Sequence, residues 1–72
     1  MATEWVEVES SNIASIGYVS ETNGLLVRFK SGNTYTYSDV PKDIYDEFVN
    51  SKSKGKYFAE HIKEVFEYHK AG

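Results

Sequence analysis

Apolar and polar residues alternate along the first half of this chain, and the spacing then lengthens to that of helices. Residues 5–9 set Val6 and Val8 on one side and Glu7 and Glu9 on the other, the pattern of a short, half-buried strand. Ser10, Ser11 and Asn12 interrupt it, and residues 13–20 resume it with Ala14, Ile16 and Tyr18 on one face. Residues 25–30 form a third strand, Leu25, Val27 and Phe29 facing one way and Leu26, Arg28 and Lys30 the other. Between the last two lies Asn23-Gly24, the dipeptide best suited to a two-residue type I′ hairpin. That turn predicts Thr22 opposite Leu25, Ser20 opposite Val27 and Tyr18 opposite Phe29. Directly opposed residues share a face, so Ile16, Tyr18, Leu25, Val27 and Phe29 fall together, with Trp5, Ile13, Val19 and Leu26 on the outer side.

At Ser31-Gly32 two loop lengths are open. A two-residue loop puts Tyr35 opposite Arg28 on the outer face. A three-residue loop over residues 30–32, with Gly32 left-handed, pairs Phe29 with Asn33 and Val27 with Tyr35. The second keeps the alternation intact across the sheet and sends Tyr35 and Tyr37 inward. Pro41 suits the first turn of a helix, with Ser38 or Asp39 as the capping residue. Ile44, Tyr45, Phe48 and Val49 repeat at helical spacing, opposite Lys42, Asp43, Asp46 and Glu47. After residues 50–55 a second helix is predicted over about 56–69, with Phe58, Ile62, Val65, Phe66 and His69 as its stripe. The expected class is α+β: a three- to four-stranded antiparallel β-meander followed by two α-helices packed on one face.

Length limits this to one domain, residues 1–72 with a core at about 5–69, because 72 residues leave no room for a second. A chain this short buries only about 60% of its unfolded surface. The 15% aromatic content supplies the large side chains that such a core needs. Absence of cysteine excludes disulfides, thiolate metal sites and a cysteine nucleophile. The first residues lack the basic and apolar regions of a signal peptide, and no apolar run approaches a membrane span, so a cytoplasmic location and no membrane partner are expected. A formal charge of −3 gives no global attraction to phosphate backbones, so a nucleic-acid role needs a local basic patch.

Five pieces in order resemble one family: residues 10–18 (SSNIASIGY), 26–32 (LVRFKSG), 35–37 (YTY), 40–41 (VP) and 53–58 (SKGKYF), together with Ile62. They are similar to the KTSC domain, named from the C-terminal extension of some lysyl-tRNA synthetases and also found as free-standing small proteins of bacteria and their phages. The resemblance covers residues 10–68, and the family's Y-x-Y motif falls on Tyr35 and Tyr37. Family members often carry a small residue before the S-x-G element and Asn after the aromatic pair; here Lys52 and Ala59 stand there. The family has no established function, and the synthetase connection implies RNA binding.

Two candidate sites stand beside ordinary structural readings. Ser53, Lys54, Gly55 and Lys56 lead into a helix, where free amides and nearby lysines make an anion pocket or simply a solvated cap. Tyr35 and Tyr37 offer a stacking platform for unpaired bases, with Arg28 and Lys30 for phosphates, or else fill the core under the helices. His61 and His69, on one predicted helix two turns or about 12 Å apart, are too far apart for one metal ion. No nucleophile–base set is evident, so no catalytic residue, metal or cofactor is expected. The function expected is a non-catalytic binding module for RNA or single-stranded nucleic acid. The alternative is a protein-interaction module, such as a small phage protein engaging a host factor or self-associating through an apolar outer sheet face.

Overall fold

The computed structural model describes residues 4–70. Residues 1–3 and 71–72, left outside the expected core, lie outside the described residues. The chain runs β1 (Glu4–Glu7), β2 (Ile13–Val19), β3 (Gly24–Phe29), β4 (Thr34–Tyr37), α1 (Lys42–Asn50), α2 (Lys54–His61) and β5 (Tyr68–Lys70). Among the described residues the strands form one antiparallel sheet in the order β1-β2-β3-β4-β5. The α+β meander with its two helices is as expected. The fifth strand is new.

Faces along the sheet follow the alternation. The row Ile16, Val27, Tyr35 and the row Tyr18, Leu25, Tyr37 lie under the helices. Ile16, Leu25 and Val27 are fully enclosed, together with Phe48 of α1 and Ile62 just after α2. Phe58 bridges the layers, with ring centroids 5.5 Å from Tyr37 and 6.2 Å from Phe48. The helices are also joined by the Tyr57 hydroxyl, which donates to Glu47 Oε1 at 2.8 Å.

Ile13 departs from its expected place. It is completely buried in the core, because the ladder slips between Ile13, opposite Phe29, and Ser15, opposite Arg28. Ala14 is the extra residue of a β-bulge, which turns Ile13 inward and leaves Ala14 half-buried.

The β2–β3 connection is longer than a two-residue hairpin: Val19 pairs with Gly24, Tyr18 with Leu25 and Ile16 with Val27. From Ser15 to Val19 every pairing has moved by four residues, so those faces survive although the register does not. The reason lies outside the hairpin. Asn23, at φ 54, gives its carbonyl to the Val40 amide (2.8 Å) and its side-chain oxygen lies 3.1 Å from the Tyr18 hydroxyl. That hydroxyl has one proton, and its 2.7 Å contact with the Val40 carbonyl takes it. The loop thus closes on the β4–α1 connection as well as on itself, where the Thr22 amide donates to the Val19 carbonyl (3.3 Å).

At the next turn the three-residue loop is correct. Val27 pairs with Tyr35, the Phe29 amide donates to the Asn33 carbonyl (2.8 Å), and Gly32 has φ 104.

Helix starts differ from the sequence expectation. Pro41 is itself the cap residue of α1 and no side chain caps the helix. Ser38 and Asp39 lie too far upstream, and Asp39 instead turns the chain at φ 58. The second helix is shorter than expected and ends at His61, where the Ile62 and Lys63 amides both close on the Phe58 carbonyl (3.0 and 2.9 Å). The apolar stripe beyond it does not continue as a helix: Val65 is 63% exposed and Phe66 is half-buried, so Ile62 is the anchor. Residues 68–70 gain more as a strand, because β4 would otherwise present an unpaired edge.

Two substitutions test this architecture. Tyr18→Phe should destabilise by about 1–3 kcal/mol in a denaturant melt, since it leaves the buried Val40 carbonyl without its donor. Gly32→Ala should destabilise by about 1–2 kcal/mol, as a methyl there meets no neighbour and the penalty is wholly conformational. A silent result for either variant would refute the corresponding account.

Candidate nucleic-acid interface

Where the sheet parts from α2, a groove of about 800 Å³ opens between the β3–β4 turn and β5. Its aromatic wall is built from four elements. Phe29 comes from β3, Tyr35 and Tyr37 from β4, Phe58 from α2 and Tyr68 from β5. Tyr35 stands edge-on to Phe29 and to Tyr68, with centroids 5.7 Å apart in both pairs. Tyr37 is 2% exposed and belongs to the core, whereas Tyr68 is 56% exposed and offers its ring to the groove. Lys30, on the turn, and Lys63, just past α2, bring positive charge. No Asp or Glu lines the groove among the described residues.

The sequence-predicted residues divide around this groove. Lys30, Tyr35, Tyr37 and Gly55 line it. Arg28 does not: it lies on the opposite face, its guanidinium 4.6 Å above the Trp5 ring. This follows from the alternation, since Arg28 sits between Val27 and Phe29, both of which face the helices. The platform of both tyrosines with Arg28 and Lys30 alongside is therefore split. Trp5, Val19 and Leu26 share the outer side with Arg28, without Ile13.

The anion pocket at residues 53–56 is also altered. Ser53 makes no side-chain cap hydrogen bond. The Ser51 hydroxyl instead accepts from the Ser53 amide at 3.1 Å, and the Lys54 ammonium donates to the Ser51 carbonyl at 2.6 Å. Lys54 thus closes its own loop rather than reaching outward, while Lys56 stays exposed.

Lys63 and Tyr68 were not singled out in the sequence. Both fall in the stretch that reads as helix. The short alternation Phe66, Glu67, Tyr68, His69 is the signal for a strand, too brief to compete with the helical stripe. His61 and His69 accordingly lie on different elements, α2 and β5. His61 packs on the Tyr57 ring at 4.5 Å.

Burial, with smaller contributions from the neighbouring Tyr68 and Tyr35 phenols, pushes the Tyr37 hydroxyl up to about 12. Its proton is therefore held throughout the physiological range. Neutral phenols, aromatic faces and two ammonium groups suit a ligand with a flat ring and negative charge.

A small, cysteine-free α+β domain carrying a Y-x-Y strand under two helices defines the class. The chain belongs to the KTSC domain family, whose profile matches residues 9–66. It is 42% identical over 60 residues to a lysine–tRNA ligase of Trichormus variabilis, covering 83% of this chain but 11% of that ligase. The chain thus spans about a tenth of the length of the tRNA ligases it matches. An uncharacterised protein of Stutzerimonas stutzeri is 34% identical over 58 residues, covering 81% of this chain and 82% of that protein. The crystal structure of a KTSC domain protein from Yersinia pestis superposes with a TM-score of 0.92 at 38% identity, covering 99% of this chain and 100% of that one. Among the described residues no helix is long and apolar enough to cross a membrane.

The raised Tyr37 hydroxyl gives a signed pH dependence. A free tyrosine ionises near 10, so above that pH the unfolded chain loses a proton that the folded chain keeps to about 12. The stability is complete below pH 10 and falls between pH 10 and 12, by on the order of 2–3 kcal/mol for this buried group. Denaturant melts across that window should show the loss, and Tyr37→Phe should reduce it. An unchanged alkaline profile in Tyr37→Phe would count against the assignment.

Proposed function

We propose that the protein is a non-catalytic module that binds RNA or single-stranded nucleic acid in the groove between α2, the β3–β4 turn and β5. One observation carries this reading: in a chain of net charge −3, this concavity is lined by five aromatic rings and two lysines and, among the described residues, by no carboxylate. Its size lies within the range of small-ligand clefts, about 300–1,000 Å³. A base could stack on the exposed ring of Tyr68, edge-on to Tyr35, while Lys30 and Lys63 meet nearby phosphates. The kinship with a segment of tRNA ligases supports the same reading.

An amide-shift titration with short RNA and DNA oligomers at two salt concentrations tests it. Shifts should centre on Lys30, Tyr35, Lys63 and Tyr68. Two phosphate contacts predict binding about sevenfold weaker at 200 than at 50 mM salt. Lys30→Glu with Lys63→Glu should abolish the shifts with little change in melting temperature, since both side chains are exposed. If no oligomer shifts any amide at low salt, the nucleic-acid reading fails. A protein partner on the outer face of Trp5, Val19 and Leu26 then replaces it.

A further inference from the structure

A second, smaller groove of about 530 Å³ adjoins the first and shares two of its residues, Lys63 and Tyr68. Those two side chains form the ridge between the grooves. Among the described residues the near side carries no carboxylate, whereas the far side includes Glu64 and Glu67, both exposed. The opposite end of the first groove is different again, lined by Asn12, Lys30, Ser31 and Asn33, which are neutral or cationic.

This gradient bears on what the groove can hold. A nucleotide in the interior of a strand carries phosphates on both sides, so one that stacks on Tyr68 must send backbone across the ridge. There it would run past Glu64 and Glu67, where like charges repel it. The end of a strand has no such continuation, and its remaining phosphates leave over Lys30. Resting on the nucleic-acid reading above, we propose that the groove recognises the terminal nucleotide of a single strand, with the chain leaving over the β3–β4 turn. Glu64 and Glu67 reject a backbone that continues past Tyr68.

Three uridine probes test this by amide-shift titration at low salt: a dinucleotide, a linear hexamer, and a six-nucleotide loop closed by a blunt duplex stem. The dinucleotide and linear hexamer should bind within about threefold of one another, and the loop about tenfold or more weakly, because it presents no free single-stranded end. Glu64→Gln with Glu67→Gln should tighten the loop about tenfold while moving the dinucleotide by less than about twofold. Equal binding of loop and linear hexamer would overturn the proposal and leave the nucleic-acid reading intact. So would a double variant that tightens loop and dinucleotide alike. No binding of any probe would remove both.

Discussion

Tyr18 reaches from the middle of the sheet to the connection that leads into the first helix. Its hydroxyl donates to the carbonyl of Val40, the residue before Pro41 and α1, and its ring stacks on Tyr45 of α1 at 4.8 Å. The amide of the same Val40 returns to the carbonyl of Asn23 in the β2–β3 loop. A strand, a loop and a helix entry are thus closed into one ring of contacts by a side chain 22 residues from its acceptor. Since Val40 is completely buried, its carbonyl needs that donor, and burial in turn pushes the Tyr18 hydroxyl above its ordinary value. With α1 seated in this way, α2 follows it across the sheet and leaves the groove at the other end.

That groove is shaped by local departures from regular structure. The bulge at Ala14 turns Ile13 inward, beside Phe29, at the groove's floor. The left-handed Gly32 lets the β3–β4 turn close in three residues, so that Tyr35 lands opposite Val27 and faces the helices. β5 then has two effects: its pairing covers the edge of β4, and its first residue, Tyr68, completes the aromatic wall. Protection of a sheet edge and completion of the aromatic groove come from the same three residues.

Charge separates the two sides of that wall. Exposed carboxylates lie on α1 at Asp43 and Glu47 and past the ridge at Glu64 and Glu67, among other places, but none lines the groove among the described residues. Lys30 and Lys63 line an aromatic surface that, among the described residues, carries no acid. Formal charge alone argues against a phosphate ligand. Its distribution allows one.

Much of this was legible in the residues themselves. Alternation at period two identified the first four strands and, from Ser15 onward, the faces of their residues, because a strand's side chains must point to opposite sides. Ile44, Tyr45, Phe48 and Val49 announced α1 at its 3.6-residue period, and the need for positive φ identified Gly32 as the left-handed residue of its turn. Tyr35, Tyr37, Lys30 and Gly55, candidates from the sequence, all line the groove. What local pattern could not decide was whatever depends on partners distant in sequence. The β2–β3 register was set by Val40, and the burial of Ile13 by a bulge against β3. Residues 62–70 show the limit best. Their spacing fits a helix, but they end as a turn and a strand, because the open edge of β4 offers hydrogen bonds that no local propensity registers.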